Sequence, residues 1–469
     1  MEKIKILDQN SDLLTKASSK IRGFIDEIVD PKSLVETDVF LAGKNFLDGT
    51  EALGEGVVTG YATIDGNPVY LFAQNAEVLS GSLSRAGADK ISKNIEAAAR
   101  AGVPFISIID SAGARIGEGI GVCEGYSKLF SKAANELLGS VPHIAVVKGN
   151  CVGLMSVYTA LADFVFADEK AKISVNAPLV VAAASKTAVD ALTVKNTAGK
   201  SGSAAIVYKT GAELKEKLTE LLDLLPPDAD YIAAGDYTDD LNRTSENLNT
   251  SADYASLFAA VADDGKTLEL YADYAKEVKC ALGKIAGITT AFVAFDPTVN
   301  KFITVNGLKK ISRFVYSISD FNIPLINFVD SKGIEPSLES ELNGLSGEAA
   351  NLITNIALAD NRKIAVITGN AIGYAYSAFA SKALGYDYVL ATVDSVISPI
   401  NPETATVLLY DEELKKAVDP VAKREELNKK YAEDSANPYI AAKDGYVDNI
   451  IEPQLIRPYL ASILTMLTK

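Results

Sequence analysis

The feature that most constrains this chain is an internal repeat. The stretch GNCVG at residues 149–153 returns as GNAIG at residues 369–373, an offset of 220 residues. The same offset carries VPFISIIDSAG (103–113) onto IPLINFVDSKG (323–333). The register holds without a gap across about 80 residues, and chance similarity does not keep one register over such a length. The sequence therefore predicts a duplicated domain.

Each copy has the same predicted order of elements. A helical segment leads to an apolar strand, a glycine-containing loop, a second helix and another apolar strand that ends at the GN turn. Continuous apolar strands that alternate with helices are typical of an α/β fold whose parallel sheet is covered on both faces. A polar, proline-containing linker is predicted near 226–255. Residues 1–235 and 255–469 are then the N-terminal and C-terminal domains.

The composition argues against several kinds of protein. The chain has 469 residues, 48% of them hydrophobic, and a net charge of −16 with no basic run, which argues against nucleic-acid binding. Its three cysteines lack CxxC spacing, so neither a disulfide framework nor a zinc site is expected. No apolar run reaches the ~18–20 residues of a membrane-spanning helix, and no signal segment is recognised. A cytoplasmic location is therefore expected.

The single histidine restricts the chemistry further. His143 stands at the entry to an apolar, β-branched run, SVPHIAVV, where a structural role is favoured over a catalytic one. One histidine makes a Ser-His-Asp triad, a Cys-His pair and a histidine-rich metal site improbable. No metal site is predicted, and catalysis is expected to use groups other than histidine.

The repeated GN turns indicate another source of catalysis. Each lies between a strand and a run of small, helix-forming residues, where backbone N–H groups at the helix start lack partners and favour negative charge. The final glycine of each turn, Gly153 or Gly373, lets a ligand approach the backbone closely. The sequence predicts two oxyanion holes, provided that their N–H groups are not bound by the protein itself. The alternative is that each glycine only allows a helix to pack tightly on a strand.

Several longer stretches resemble one family. SIIDSAGARIGEGI (107–120) resembles the DSGGARIQEG signature of the carboxyltransferase subunits of biotin-dependent acyl-CoA carboxylases and decarboxylases. The segments 21–38, 54–91, 313–330 and 436–453 are similar to the same family. The resemblance therefore covers nearly the whole chain.

This resemblance implies two duplicated crotonase-like (ClpP/crotonase) domains with a ββα superhelical architecture. The N-terminal domain would hold a coenzyme A thioester, and the C-terminal domain would hold biotin carried on a separate protein. The departing biotin would take the substrate's α-proton, so no side-chain base is required. The implied partners are the biotin carrier protein and either a biotin carboxylase or a membrane decarboxylase subunit, which would bring the chain to a membrane. A homo-oligomer, a dimer or a trimer of dimers, is also implied.

The resemblance assigns site residues by motif. The thioester oxyanion hole would be the N–H groups of Gly153 and Leu154, and the biotin hole those of Gly373 and Tyr374. Leu154 and Tyr374 replace small residues of the family pattern, and Ser377 replaces an aspartate that helps select the acyl group. Substrate contacts are further implied for Ser111, Ala112, Gly113, Ala114, Gly333 and Ser377.

Charged residues near these motifs are weaker candidates. Coenzyme A carries phosphates, and Arg85, Lys90 and Arg115 are the basic side chains closest in sequence to the N-domain motifs. A structural role fits each of them equally well, and Arg115 is spaced to pair with Glu118. Lys332 and Glu335 depart from the family pattern beside the implied biotin site.

Two other functions stay open. A non-catalytic scaffold subunit of such a complex is motivated by the replacements at Leu154, Tyr374 and Ser377. Another crotonase-like acyl-CoA enzyme, such as a hydratase, or a Ser-Lys peptidase is the third hypothesis. The adjacent pair Ser381 and Lys382 is poor evidence for a catalytic dyad, because neighbouring helical residues project in different directions.

Overall fold

The chain folds into two compact units, residues 1–229 and 230–469. Part of the linker predicted near 226–255 lies outside the described residues, and the predicted domain limits, 1–235 and 255–469, stay a prediction. No described helix is both long and apolar enough to cross a bilayer. The computed structural model describes residues 2–44, 49, 51–226, 235–246 and 254–468.

The first unit is built around one mixed sheet with helices on its faces. Its described strands are β1 (Val35–Thr37), β2 (Ala42–Lys44), β3 (Glu51–Leu53), β4 (Val57–Ile64), β5 (Asn67–Gln74), β6 (Phe105–Ser111), β7 (His143–Val152), β8 (Phe164–Asp168), β9 (Lys172–Ser174) and β10 (Ile206–Tyr208). Its described helices are α1 (Glu2–Ala17), α2 (Ser19–Ile28), α3 (Arg85–Ala101), α4 (Gly121–Lys132), α5 (Leu154–Ala160), α6 (Pro178–Ser185), α7 (Val194–Ser201) and α8 (Gly211–Leu224).

The second unit has the same plan. Its described strands are β11 (Thr267–Leu270), β12 (Val278–Ile285), β13 (Ile288–Phe295), β14 (Leu325–Ser331), β15 (Lys363–Ile372), β16 (Tyr388–Thr392), β17 (Val396–Ser398) and β18 (Asn449–Ile451). Its described helices are α9 (Tyr254–Val261), α10 (Val305–Ser319), α11 (Leu338–Leu342), α12 (Leu345–Leu358), α13 (Tyr374–Phe379), α14 (Pro402–Leu409), α15 (Asp411–Lys416), α16 (Pro420–Ser435), α17 (Pro438–Lys443) and α18 (Ile456–Leu467).

The two sheets correspond strand for strand. The first has the order β1-β4-β5-β6-β7-β8-β10, and the second has the order β11-β12-β13-β14-β15-β16-β18. In each, a short extra strand, β9 or β17, pairs with the far end of β7 or β15. The first three strands in each order pair antiparallel with one another, and from the third strand onward neighbouring strands pair parallel. The duplication predicted from the sequence is confirmed, and an antiparallel hairpin precedes the repeated parallel strands in both copies.

The long helix of each repeat starts in the same way. The Ser84 hydroxyl accepts a hydrogen bond from the Gly87 N–H (2.8 Å) at the start of α3, and the Thr304 hydroxyl accepts one from the Gly307 N–H (3.0 Å) at the start of α10. Such caps satisfy one of the free donors at a helix N-terminus. Gly102, with φ of +65°, ends α3 in the left-handed conformation that glycine favours.

Apolar faces of these helices pack on the central strands. In the first unit, Ile91 and Ile95 of α3 share a buried cluster with Phe72 of β5 and Phe105 of β6. In the second unit, β13 and β14 contribute Phe292 and Phe328 to the core. Successive residues of β6 and β14 are buried almost without exception, so these strands are covered on both faces, and irregular backbone is available for function at the ends of the parallel strands.

Candidate active site

The register between the central parallel strands breaks at their carboxyl ends. Ile109 pairs with Val147, but Ser111 pairs with Cys151, so a single residue of β6 faces three residues of β7. The GN turn of the sequence analysis lies in this bulge. The extra residues interrupt the ladder, which resumes where Ser111 pairs with Cys151, and β7 then continues to Val152 before the turn that leads into α5.

The loop after β6 is held by a serine of its own motif. The Ser111 hydroxyl donates to the Gly81 carbonyl (2.8 Å) and accepts from the Gly113 N–H (3.1 Å). Gly113 has φ of +103°, and a Cβ there would lie 3.1 Å from the Val152 carbonyl oxygen. Of the predicted contact residues in this loop, Ser111 is therefore a buried structural residue, and Gly113 permits close approach of the two loops. Ala112 is exposed, and its N–H donates to Ser80.

A short parallel bridge next to this loop orients the N–H of Ala114. Leu83 donates to the Gly113 carbonyl (2.9 Å), and Arg115 donates to the Leu83 carbonyl (2.8 Å). In an extended backbone, the N–H of the residue between two such bonds faces the other side. No described residue accepts a hydrogen bond from the Ala114 N–H, so this donor is available.

The second loop supplies one further donor. Gly153 has φ of +69° and ψ of −138°, and its N–H donates to the Ser174 carbonyl on β9 (3.0 Å). The N–H of Leu154, the first residue of α5, has no acceptor in the described part of the chain. A Cβ on Gly153 would lie 3.9 Å from the Cα of Gly113, so the two loops adjoin. Of the pair named from the sequence, Gly153 and Leu154, only Leu154 has a free N–H, and Ala114 is a donor that sequence reasoning missed.

The second unit repeats the bridge. Ile303 donates to the Gly333 carbonyl (2.9 Å), and Glu335 donates to the Ile303 carbonyl (3.0 Å). Gly333 has φ of +101°, and its N–H donates to the Ser331 hydroxyl (3.2 Å), as in the first unit. The N–H of Ile334, the counterpart of Ala114, has no acceptor among the described residues.

The turn before α13 also repeats the first unit. Gly373 has φ of +53°, and its N–H donates to the Ser398 carbonyl on β17 (2.9 Å). The Tyr374 N–H at the start of α13 has no acceptor within the described ranges. The predicted pair of Gly373 and Tyr374 thus also supplies one free donor, and Ile334 is the second donor that this loop geometry makes available.

The bulky side chains at the helix starts pack into the protein. Leu154 is half-buried and packs against the core of the first unit. The Tyr374 hydroxyl donates to the Ala349 carbonyl on α12 (2.8 Å), and burial raises the pKa of that phenol. Ser377 is exposed one turn into α13, where its own N–H bonds Gly373. The large replacements noted in the sequence thus keep their backbone N–H groups free.

Two of the three basic candidates are structural. Lys90 is buried, its Nζ donates to the Val57 carbonyl (2.6 Å), and desolvation lowers its pKa to about 8. Arg115 is also buried, and its guanidinium binds Glu55 (2.5 Å) more closely than Glu118 (3.7 Å). Of the three candidates, only Arg85 is exposed.

The two charged residues of the second loop, Lys332 and Glu335, each bind a nearby protein side chain. Lys332 forms an ion pair with Glu403 (3.4 Å), and the Glu335 carboxylate accepts from the Ser340 hydroxyl (2.8 Å). Both side chains therefore have protein partners beside the loop that carries Ile334.

The histidine is structural, as predicted. His143 begins β7, is 2% exposed, and its Nε2 shares a 2.8 Å hydrogen bond with the Ser107 hydroxyl. Burial lowers its pKa to about 3. A neutral, fully enclosed imidazole cannot exchange protons with a substrate at the loops, so His143 is not an acid or base of this site.

Comparisons with known proteins agree over both units. A family model described as the carboxyl transferase domain matches residues 15–469. The carboxyltransferase subunit of propionyl-CoA carboxylase from Haloferax mediterranei is 33% identical, covering 96% of this chain and 91% of the relative. Methylmalonyl-CoA decarboxylase subunit alpha from Veillonella parvula is 34% identical, over 94% of this chain and 88% of the relative. The crystal structure of hexameric transcarboxylase 12S with methylmalonyl-CoA bound superposes with a TM-score of 0.92 at 29% identity, covering 98% and 94% of the two chains.

Proposed function

This chain belongs to the carboxyl transferase domain family, and from that premise we propose that it moves a carboxyl group between an acyl-CoA and biotin on a carrier protein. The observation that carries the proposal is the repeated pair of free backbone N–H groups at the carboxyl end of each central sheet. Family membership supports acyl-CoA and biotin as the substrate classes, and the four backbone amides would stabilise the negative charge that develops on their oxygens. We assign the acyl-CoA to the first unit and biotin to the second.

In the first unit, the donors are Ala114 and Leu154. When a thioester loses its α-proton or its α-carboxyl group, negative charge moves onto the carbonyl oxygen. Fixed N–H dipoles that point at the position of that oxygen lower the barrier, because they need no reorganisation as the charge develops. Their adjoining loops are held by Ser111, Gly113 and the bridge to Leu83.

In the second unit, the donors are Ile334 and Tyr374, and they fit a biotin ureido group. Bound biotin supplies a nitrogen that carries the carboxyl group and takes up the substrate proton once that group has left. The chain contributes two neutral N–H donors for the ureido oxygen, on which negative charge accumulates as the nitrogen–carboxyl bond breaks. This division of labour agrees with a chain whose single histidine is buried.

Partners follow from the same premise. We propose a biotin carrier protein as the obligatory partner, with either a biotin carboxylase or a membrane decarboxylase subunit in the same complex. We also propose a homo-oligomer, since the transcarboxylase 12S structure is described as a hexamer and a multienzyme core. Sizing chromatography with light scattering on the purified chain distinguishes a dimer from a hexamer.

The decisive experiment is a decarboxylation assay. The purified chain is mixed with malonyl-CoA, methylmalonyl-CoA or glutaconyl-CoA and free biotin, and the CoA products are separated by chromatography. We expect biotin-dependent loss of CO₂ from one of these compounds. A chain that binds a biotinylated carrier yet turns over none of them would support the scaffold hypothesis instead.

A further inference from the structure

One aspartate fills the register break in the first unit. Asp110 is the single residue of β6 that faces residues 148–150 of β7. Its Oδ1 accepts a hydrogen bond from the Asn150 N–H (3.0 Å). A Cβ added to Gly149 would collide with the same carboxylate, so the side chain packs directly on the glycine. The glycine of the GN pair is thereby explained, because it leaves room for the carboxylate that the next backbone N–H binds.

The second unit contains the same arrangement. Asp330 is 3% exposed and is the single residue of β14 that faces residues 368–370 of β15. Its Oδ1 accepts from both the Asn370 N–H (2.8 Å) and the Asn370 side-chain amide (2.9 Å). A Cβ on Gly369 would collide with this carboxylate as well. The contact therefore recurs with the oxyanion loops, although the side-chain bond is an addition of the second copy.

The position of this contact matters for the four donors. Asp110 precedes Ala114 by four residues, and Asn150 precedes Leu154 by four residues. The hydrogen bond thus ties together the two chain segments just before they diverge into the loops that carry the donors. Because β6 and β7 resume pairing after the bulge, at Ser111, a change in its size would shift one donor relative to the other.

We propose that Asp110 and Asp330 are positioning residues, each of which holds the two N–H donors of its own unit in the spacing that an oxyanion requires. The inference rests on the proposed function and adds to it the residues on which the geometry of each hole depends. A carboxylate near a developing negative charge is electrostatically unfavourable. The aspartate therefore contributes to the site by accepting the backbone hydrogen bond and not by its charge. Asparagine keeps an acceptor oxygen at the same place and should substitute for it, whereas alanine should not.

The same strands provide matched controls at their opposite ends. The His143 N–H at the start of β7 donates to Asp163 Oδ2 (2.8 Å), and the Lys363 N–H at the start of β15 donates to Asp387 Oδ2 (2.9 Å). These are also carboxylate-to-backbone bonds on the same two strands, far from the loops. Asp163→Ala and Asp387→Ala therefore report the cost of losing a carboxylate that binds the strand backbone without moving a donor, and Asp387→Ala also removes an ion pair with Arg362 (3.4 Å).

The experiment uses full-length variants and two readouts, one for each unit. For the first unit, difference infrared spectroscopy follows the carbonyl stretch of propionyl-CoA labelled with ¹³C at that carbon, which falls in frequency when N–H donors bind the oxygen. For the second unit, the KM for free biotin is measured in the decarboxylation assay. Thermal midpoints establish that each variant is folded.

We expect the effects to separate by unit. Asp110→Ala should lose most of the infrared shift and leave the KM for biotin unchanged, whereas Asp330→Ala should raise that KM by about tenfold or more and leave the shift intact. Asp110→Asn and Asp330→Asn should stay within about threefold of wild type, since the acceptor survives. The alanine controls should lower the thermal midpoint and change neither readout.

Two outcomes overturn the inference: alanine variants that behave like the controls, or alanine variants that disturb both readouts alike. Either result in an active wild-type protein removes the positioning role and leaves the proposed function standing. A wild-type protein without biotin-dependent turnover would instead remove the proposed function.

Discussion

Replacement of Leu154 by proline removes one backbone N–H together with the half-buried leucine side chain. Leu154 is the first residue of α5, a position where proline is common because its N–H bonds nothing within the helix. No described residue accepts from this N–H, so the substitution breaks no hydrogen bond within the described part of the chain. Gly153 has φ of +69° and ψ of −138°, the mirror image of the extended backbone that precedes proline, which glycine adopts freely.

The expected magnitude comes from the role of a single donor. Loss of one oxyanion donor typically lowers kcat by about 10²–10³-fold. Leu154→Ala is the matched control, because it also removes the half-buried side chain but keeps the N–H. Both variants should lose about 1 kcal/mol of apolar burial, so the ratio of their activities isolates the amide.

The assay is biotin-dependent decarboxylation of the carboxyacyl-CoA that the wild type prefers. Leu154→Pro should fall at least about a hundredfold below Leu154→Ala in kcat at comparable thermal midpoints. If the two variants retain equal activity, the Leu154 N–H does not stabilise a reacting oxygen, and the two-donor arrangement of the first unit is refuted.

Three further predictions concern side chains. Tyr374→Phe loses the hydrogen bond to the Ala349 carbonyl but keeps its N–H, so urea denaturation should show a loss of about 1 kcal/mol while turnover persists. Gly149→Ala forces the Asp110 carboxylate out of place and should destabilise the chain by about 1–3 kcal/mol; an unchanged urea midpoint would contradict the packing. Because burial lowers the pKa of His143 to about 3, the unfolded chain binds a proton below pH ~6.5 that the folded chain does not. Wild type should therefore lose up to about 1.4 kcal/mol of stability per pH unit relative to His143→Gln as pH falls from 6.5 to 5, and parallel curves would show that the imidazole titrates normally.

Much of the fold could be read from the chain without its structure. The 220-residue offset identified the duplication because the apolar strands and turn glycines of both copies obey the same local rules of burial and backbone conformation. The motifs around residues 107–120 identified the family, and the match over residues 15–469 confirms it. His143 was expected to be structural, and its enclosure at the start of β7 agrees.

The availability of a backbone N–H was decided only by the tertiary structure. The family resemblance assigned Gly153 and Gly373 as donors, but their N–H groups bind the carbonyls of Ser174 and Ser398 on the short strands β9 and β17. The Leu154 N–H has no acceptor among the described residues, and its role as an oxyanion donor stays a prediction; the equally unbound N–H of Ala114 carried no local signal. Every residue except proline has an N–H, and whether it is free depends on pairings made with distant segments.

The charged residues illustrate the same division. Lys90, Arg115 and Asp110 are all compatible with ligand binding by residue type, yet the fold directs each toward backbone or a buried partner. The sequence by itself determined the architecture and the two places where chemistry is expected, because periodicity and glycine positions are local properties. The choice of donors, and the carboxylates that hold them in register, came from strand pairing and burial, which exist only once the chain has folded.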